Sequence, residues 1–247
     1  MLREPLIRRA WDTLLMALYP GRCAGCDHAL PWRAVDEPLC EACAGLAERP
    51  DGVCPRCGLP GCDAEEGCPT CALDPPPYGG LASAFWYGGP VRAAIHRFKF
   101  DDRPHLYRAL SAALADVVEP AWPRGVLVGV PMTDRSLRRR GYNPAWLLAL
   151  GLSRRLGLRA PGGSTLVKVR ETAPQRGLGA RERRDNVAGA FACRGDVVGR
   201  DLWLVDDVLT TGATAGECAR VLLGAGARSV RVLALARTPL ELGVDHV

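Results

Sequence analysis

Two groups of residues in this 247-residue chain have the types and spacing to do chemistry. The first is a run of cysteines. Nine of the eleven fall between Cys23 and Cys71, and eight of those pair as Cys23-x2-Cys26, Cys40-x2-Cys43, Cys54-x2-Cys57 and Cys68-x2-Cys71. A CxxC turn sets two sulfurs on one side of a tight loop, and two such turns close a tetrahedron around Zn²⁺ with Zn–S near ~2.3 Å. Eight thiolates therefore predict two structural zinc sites, each closed to substrate, that stabilise a segment too small for its own core. Gly25, Pro55 and Gly58 supply the turn chemistry. The spacing gives two stacked zinc ribbons if the pairs join sequentially, and it also admits a cross-braced arrangement; Cys62 is left over. CxxC spacing, an odd cysteine total and the lack of a secretory signal argue for a reducing, cytoplasmic compartment rather than a disulfide framework. Cys193 and Cys218 read as small buried apolar side chains.

The second group is the string Leu202-Trp203-Leu204-Val205-Asp206-Asp207-Val208-Leu209-Thr210-Thr211-Gly212-Ala213-Thr214. It reads as a buried strand, two acids, a Thr/Gly turn and the start of a helix. Small turn residues let backbone N–H groups close on a phosphate, and the helix presents its positive N-terminal end to it. Two carboxylates in front of such a loop would repel a bare phosphate, but they can accept from hydroxyls. A sugar 5-phosphate, its phosphate on Thr210–Thr214 and its diol against Asp206 and Asp207, satisfies both features.

The elements that must position these groups follow from periodicity. Residues 1–19 predict an amphipathic helix docked on the protein itself, and no run is apolar enough for an integral membrane span. Residues 20–77 are rich in Gly, Pro and Cys and end in Pro75-Pro76-Pro77, which marks the boundary between a double zinc ribbon and a domain over 78–247. In that domain strands are expected at 81–87, 125–130, 202–205 and 229–236, and helices at 91–100, 105–119, 144–156 and 215–223. Such alternation predicts an α/β fold, a parallel sheet flanked by helices. The Gly- and Arg-rich stretch 159–200 has weak periodicity and suits a lid. Charge is unequal: residues 1–80 hold 7 Lys+Arg against 12 Asp+Glu, whereas residues 81–247 hold 25 against 15. Nearly all the basic groups are arginines, the lysines being Lys99 and Lys168, and the guanidinium fork suits phosphate oxygens.

The string around Asp206 resembles the phosphoribosyl-pyrophosphate (PRPP) motif of type I phosphoribosyltransferases. More widely, the cysteine segment, Val130-Pro131-Met132-Thr133, the block Arg138-Arg139-Arg140-Gly141-Tyr142-Asn143, Arg170-x-Thr172-x-x-Gln175 and the run Arg181 to Phe191 resemble the ComF family of competence-related proteins, over nearly the whole chain. The resemblance implies a type I phosphoribosyltransferase-like domain behind a double zinc ribbon. It further implies catalytic Asp206 and Asp207 on the ribose hydroxyls, Thr210, Thr211, Gly212, Ala213 and Thr214 on the 5-phosphate, and Pro131, Met132 and Thr133 facing the pyrophosphate. Arg135, Arg138, Arg170 and Gln175 join the substrate-binding set, Mg²⁺ accompanies PRPP, and Arg170–Phe191 forms the closing loop. Where family members carry Asn-Gln, this chain has Asn143-Pro144, with Pro144 suited to a helix start.

Two function classes follow. One is a Mg²⁺- and PRPP-dependent phosphoribosyltransferase of unassigned acceptor. The other is a non-catalytic module of the transformation machinery, binding single-stranded DNA in a basic, aromatic-edged groove or docking a helicase-like competence protein.

Overall fold

The computed structural model describes residues 21–30, 37–62, 67–160, 162–172 and 180–239; the helix expected over 1–19, and Gln175, lie outside them. In chain order the strands are β1 (Leu81–Trp86), β2 (Val126–Gly129), β3 (Leu166–Lys168), β4 (Phe191–Cys193), β5 (Asp201–Leu209) and β6 (Ser229–Arg237). The helices are α1 (Glu41–Gly45), α2 (Pro69–Leu73), α3 (Gly89–Phe100), α4 (Tyr107–Ala115), α5 (Asp134–Arg140), α6 (Pro144–Leu156), α7 (Ala180–Val187) and α8 (Ala213–Gly224).

Four strands form one sheet in the order β1-β6-β5-β2, every pair parallel. Such strands are covered on both faces and so read as continuous apolar runs, as Leu202–Val205 does. Alternation then sorts the core into two clusters. Trp203, Val205, Leu233 and Leu235 pack against Ile95 and Phe98 of α3, Leu110 and Leu114 of α4, and Leu148 and Leu152 of α6. Leu202, Leu204, Val232 and Ala234 face the other way, onto Ala215, Cys218, Ala219 and Leu222 of α8 and onto Leu166 and Phe191 of β3 and β4. The expected parallel sheet with flanking helices is the observed architecture.

Three features differ from the sequence reading. First, β5 does not end at Val205: its pairing with β6 continues through Asp206 and Val208 to Leu209, so both acids lie within the strand. Second, the stretch 159–200 is not featureless, because β3 and β4 pair as an antiparallel ladder over Leu166–Cys193, Val167–Ala192 and Lys168–Phe191. Three-residue strands are too short for a period-2 signal to show. Third, α5 escaped because its seven residues, Asp-Arg-Ser-Leu-Arg-Arg-Arg, contain a single apolar side chain and hence no stripe.

The cysteine segment is built onto the sheet. Cys23, Ala24, Leu30, Leu39 and Cys43 belong to the same apolar cluster as Phe85, Val91 and Ile95. Arg97 of α3 donates to the carbonyls of Ala24, at 2.6 Å, and Gly25, and Arg103 pairs with Asp27. Further on, the Leu81 N–H donates to Pro55 O at 2.9 Å and the Trp86 N–H to Glu48 O at 2.8 Å, which fixes the segment along β1. No helix among the described residues is long and apolar enough to cross a membrane.

Candidate functional site

The eight paired cysteines gather into two tetrads, Cys23/Cys26/Cys40/Cys43 and Cys54/Cys57/Cys68/Cys71, with all four sulfurs of each within 4.8 Å of one another. Pairing is therefore sequential rather than cross-braced, and Cys62 belongs to neither. Tetrahedral geometry at Zn–S near ~2.3 Å demands S···S edges of about 3.8 Å. The observed edges are 3.7 Å for Cys26–Cys40, 3.8 Å for Cys54–Cys71 and 3.6 Å for Cys57–Cys68, so the donor set fits the ion before any ion is placed. Backbone N–H groups also aim at sulfur, from Cys40 to Cys23 at 3.2 Å and from Arg56 to Cys54 at 3.4 Å. Burial pushes these two thiols up, but the amides outweigh it and bring Cys23 down to about 7 and Cys54 to about 6. Thiolate, the form a metal binds, is favoured at both positions. Cys218, outside the tetrads, is fully buried, and burial holds its thiol protonated.

The second site sits where β5 meets α8. A cleft of about 270 Å³ is lined by Tyr87, Lys99, Asp206, Val208, Leu209, Thr210, Gly212, Ala213, Thr214, Ala215 and Thr238. Its floor is a helix N-terminus: Gly212 caps α8 with φ +82°, a left-handed conformation that glycine adopts without the Cβ penalty. The first N–H groups of a helix have no intrahelical acceptor, and an anion seated at the start of α8 can serve as one. Thr211 Oγ1 accepts from the Ala213 N–H at 3.4 Å and braces the turn.

Because side chains alternate along a strand, the two aspartates part company. Asp207 continues the face of Trp203 and Val205 and meets α3, where Lys99 Nζ stands 2.8 Å from its Oδ1; the pair is only 21% and 12% exposed. Asp206 continues the face of Leu202 and Leu204, toward α8. Burial first and the Asp207 charge second push the Asp206 carboxyl up to about 7, against the pull of Lys99. A buried carboxyl held near neutrality in a cleft wall is a candidate binding or reacting group.

Lys99, paired with Asp207 and on the cleft wall with Asp206, is the candidate site residue that the sequence does not point to. No spacing in the sequence connects a side chain at the end of α3 to an acid in β5. Its position is set by the Arg-Gly-Tyr-Asn block, whose parts act as braces. Gly141 ends α5 in a left-handed cap with φ +83°, Tyr142 OH donates to the Phe98 carbonyl beside Lys99, and Asn143 Nδ2 donates to Val130 O at 3.0 Å. Asn143 also caps α6, with Pro144 in its first turn, as the local sequence suggests.

The remaining expected residues divide. Thr210, Gly212, Ala213 and Thr214 are on the cleft wall with Asp206. Thr211 opens on the opposite side of the loop, into a cavity of about 520 Å³ under the second cysteine tetrad, which Gly212 and Ala213 also touch. Pro131 and Met132 are half-buried after β2, and Thr133 is buried as the α5 cap, accepting from the Ser136 N–H at 3.3 Å. Arg138 lines an open groove next door with Lys99, Phe100, Asp102, Arg139, Arg140 and Tyr142. Arg135 is exposed and Arg170 stands apart, its Nη2 donating to the carbonyls of Asn186 at 3.0 Å and Ala188 at 2.8 Å. Those bonds close the hairpin ends and occupy the guanidinium away from the cleft.

No family model matches the chain. Curated relatives match over nearly its whole length. DNA utilization protein YhgH of Escherichia coli O6:H1 is 35% identical over 229 residues, 90% of this chain and 100% of the relative. Competence protein F of Haemophilus influenzae is 31% identical over 237 residues, with 90% and 100% covered, and Competence protein ComFC of Bacillus subtilis is 27% identical over 235 residues, with 87% and 95% covered. Among solved structures, glutamine phosphoribosylpyrophosphate amidotransferase from B. subtilis overlaps 56% of this chain and 30% of that one at 22% identity and a TM-score of 0.35, a likeness too slight to carry weight beside the sheet itself. Identity of this extent across the full length of a YhgH and a competence protein F settles descent, and the chain belongs to the ComF family of competence-related proteins.

Proposed function

We propose that this protein binds the 5-phosphate of a ribosyl ligand, PRPP with Mg²⁺, in the cleft between β5 and α8, and transfers the phosphoribosyl group to an acceptor as part of DNA handling in competence. One observation carries the reading: a helix N-terminus made for an anion shares its cleft with a carboxyl made for hydroxyls, Asp206, and with one ammonium, Lys99. The phosphate would take the N–H groups of Thr211–Thr214, and Asp206 would accept from the ribose hydroxyls. Two carboxylates offset by one ammonium leave net negative charge on hard oxygen donors, which suits a Mg²⁺–pyrophosphate complex. When bound, that ion would neutralise the departing pyrophosphate. The side chains themselves hold the ribose and fix its anomeric carbon while the ion pair with Lys99 holds Asp207 in place. The names of the relatives, DNA utilization protein and competence protein, support the biological setting.

Calorimetric titration of the zinc-loaded protein with PRPP and Mg²⁺ tests this, beside D206N/D207N. Saturable binding in the wild type, lost in the variant, is expected; wild-type protein that does not bind PRPP overturns the reading.

A second reading rests on the groove beyond Lys99. Phe100 is 61% exposed with the Arg140 guanidinium 4.9 Å over its ring, and Arg138 and Arg139 line the same groove. An exposed ring among arginines offers a base-stacking platform for single-stranded DNA. Binding by this route must fall steeply with salt and with F100A; affinity indifferent to both contradicts it.

A further inference from the structure

Arg237, the last residue of β6, is 2% exposed, and its Nε and Nη1 find no hydrogen-bond partner among the described residues. A buried guanidinium without a counter-charge is costly, so its surroundings must offer one. The third CxxC turn, Cys54–Cys57, lies close against it: a Cβ placed on Gly58 would stand 3.2 Å from Arg237 Cδ and 3.4 Å from Nε. Burial works against the guanidinium's charge, and among the described residues the groups that oppose that effect are the Tyr78 phenol and the Cys57 and Cys54 thiols, with no carboxylate. Of the acids that line the neighbouring cavity, Asp74 is paired with Arg184 at 2.6 Å, Glu217 is paired with Arg220 at 2.7 Å, and Asp185 is not among the groups acting on the guanidinium. What remains is the tetrad of Cys54, Cys57, Cys68 and Cys71. Four thiolates around one Zn²⁺ carry a net charge of about −2, and the buried Arg237, Cys54 and Cys57 form its inner side.

We propose that Arg237 is the buried counter-cation of the second tetrathiolate centre, a positioning residue that holds the second ribbon on the end of β6 by charge rather than by a hydrogen bond. The proposal rests on the zinc reading and adds to it. Its consequence reaches the cleft. Arg237 O accepts from the Tyr87 N–H at 2.7 Å, and the next residue's N–H, on Thr238, donates to Leu209 O at 2.9 Å. Tyr87, Leu209 and Thr238 all line the sugar-phosphate cleft, so the metal centre and the cleft share one strand end. The first tetrad is built differently: the arginine beside it, Arg97, spends its donors on the Ala24 and Gly25 carbonyls. It serves as the internal control.

The test is zinc content and the rate of zinc release to a colorimetric chelator for wild type, R237K and R237M. Lysine keeps the charge and methionine keeps only the bulk. Wild type is expected to hold two zinc ions. R237M should release one of them at least ~tenfold faster, the scale on which outer-shell partners act on metal affinity. R237K should stay near wild type, and the other ion should be unchanged throughout. An R237M chain that fails to fold while R237K folds with both ions supports the same conclusion. Wild-type release from R237M, equal impairment of both variants, or failure of both to fold overturns it. A wild type without zinc instead defeats the zinc reading, and so is told apart.

Discussion

Asp206 is charged at the expense of the fold. A carboxyl whose folded pKa lies at about 7 rather than 3.8 is protonated more readily in the native than in the unfolded chain, so stability is lost as pH rises from about 4 through about 7. Asp206→Asn should therefore raise the melting temperature by several degrees at pH 8 and by nothing below pH 4, a difference that thermal unfolding across pH would read. Such a strained charge persists where function requires it. Lys99 acts in the opposite sense. Removing the ammonium leaves Asp207 buried and unpaired, and Lys99→Met should cost roughly 2 kcal/mol by denaturant unfolding, below the ~3–5 kcal/mol of a fully enclosed pair because Lys99 is a fifth exposed. PRPP affinity should fall about tenfold with it. The acids were legible in the sequence because strand, carboxylates and phosphate turn are contiguous. Lys99 was not, since only folding brings α3 to β5.

The elements that hold this site are short and depend on their caps. The loop before α8 exists because Gly212 can take φ +82°, and the turn after β2 holds because Asn143 reaches back to Val130 O. The ribbon has its own such point at Gly58, where φ is +69° and an added Cβ would stand 2.3 Å from Leu81 Cδ2. Gly58→Ala should cost about 2 kcal/mol or more from the left-handed conformation and the clash with β1, measured as a lower urea midpoint, while Gly61→Ala, equally left-handed but with nothing within 4 Å, should cost only the conformational part. Long elements with a clear period, such as α6 and β6, could be read from sequence because burial imposes the pattern. The β3–β4 hairpin and α5 could not, because three strand residues or one leucine among arginines give periodicity nothing to act on. The resemblance implies Arg170 as a substrate contact, and in the fold its guanidinium donates to carbonyls at the hairpin.

At the scale of the molecule, the cysteine segment and the sheet act as one body around the cleft. The first tetrad shares an apolar cluster with α3, which carries Lys99, and the second lies against the end of β6, beside Thr238. The ribbon thus bears on both walls of the proposed sugar-phosphate site, which gives a structural reason for two cysteine tetrads that would not themselves take substrate. The charge asymmetry read from sequence also acquires a place: Arg138, Arg139 and Arg140 gather at the groove adjoining the cleft, open to an extended polyanion. The central claim is the location of the sugar phosphate, and amide hydrogen exchange with and without PRPP and Mg²⁺ tests it most directly. Protection confined to the Asp206–Gly216 amides and to the segment around Lys99 is the predicted result. Protection centred on the groove of Arg138–Arg140, or none at saturating ligand, would contradict the account.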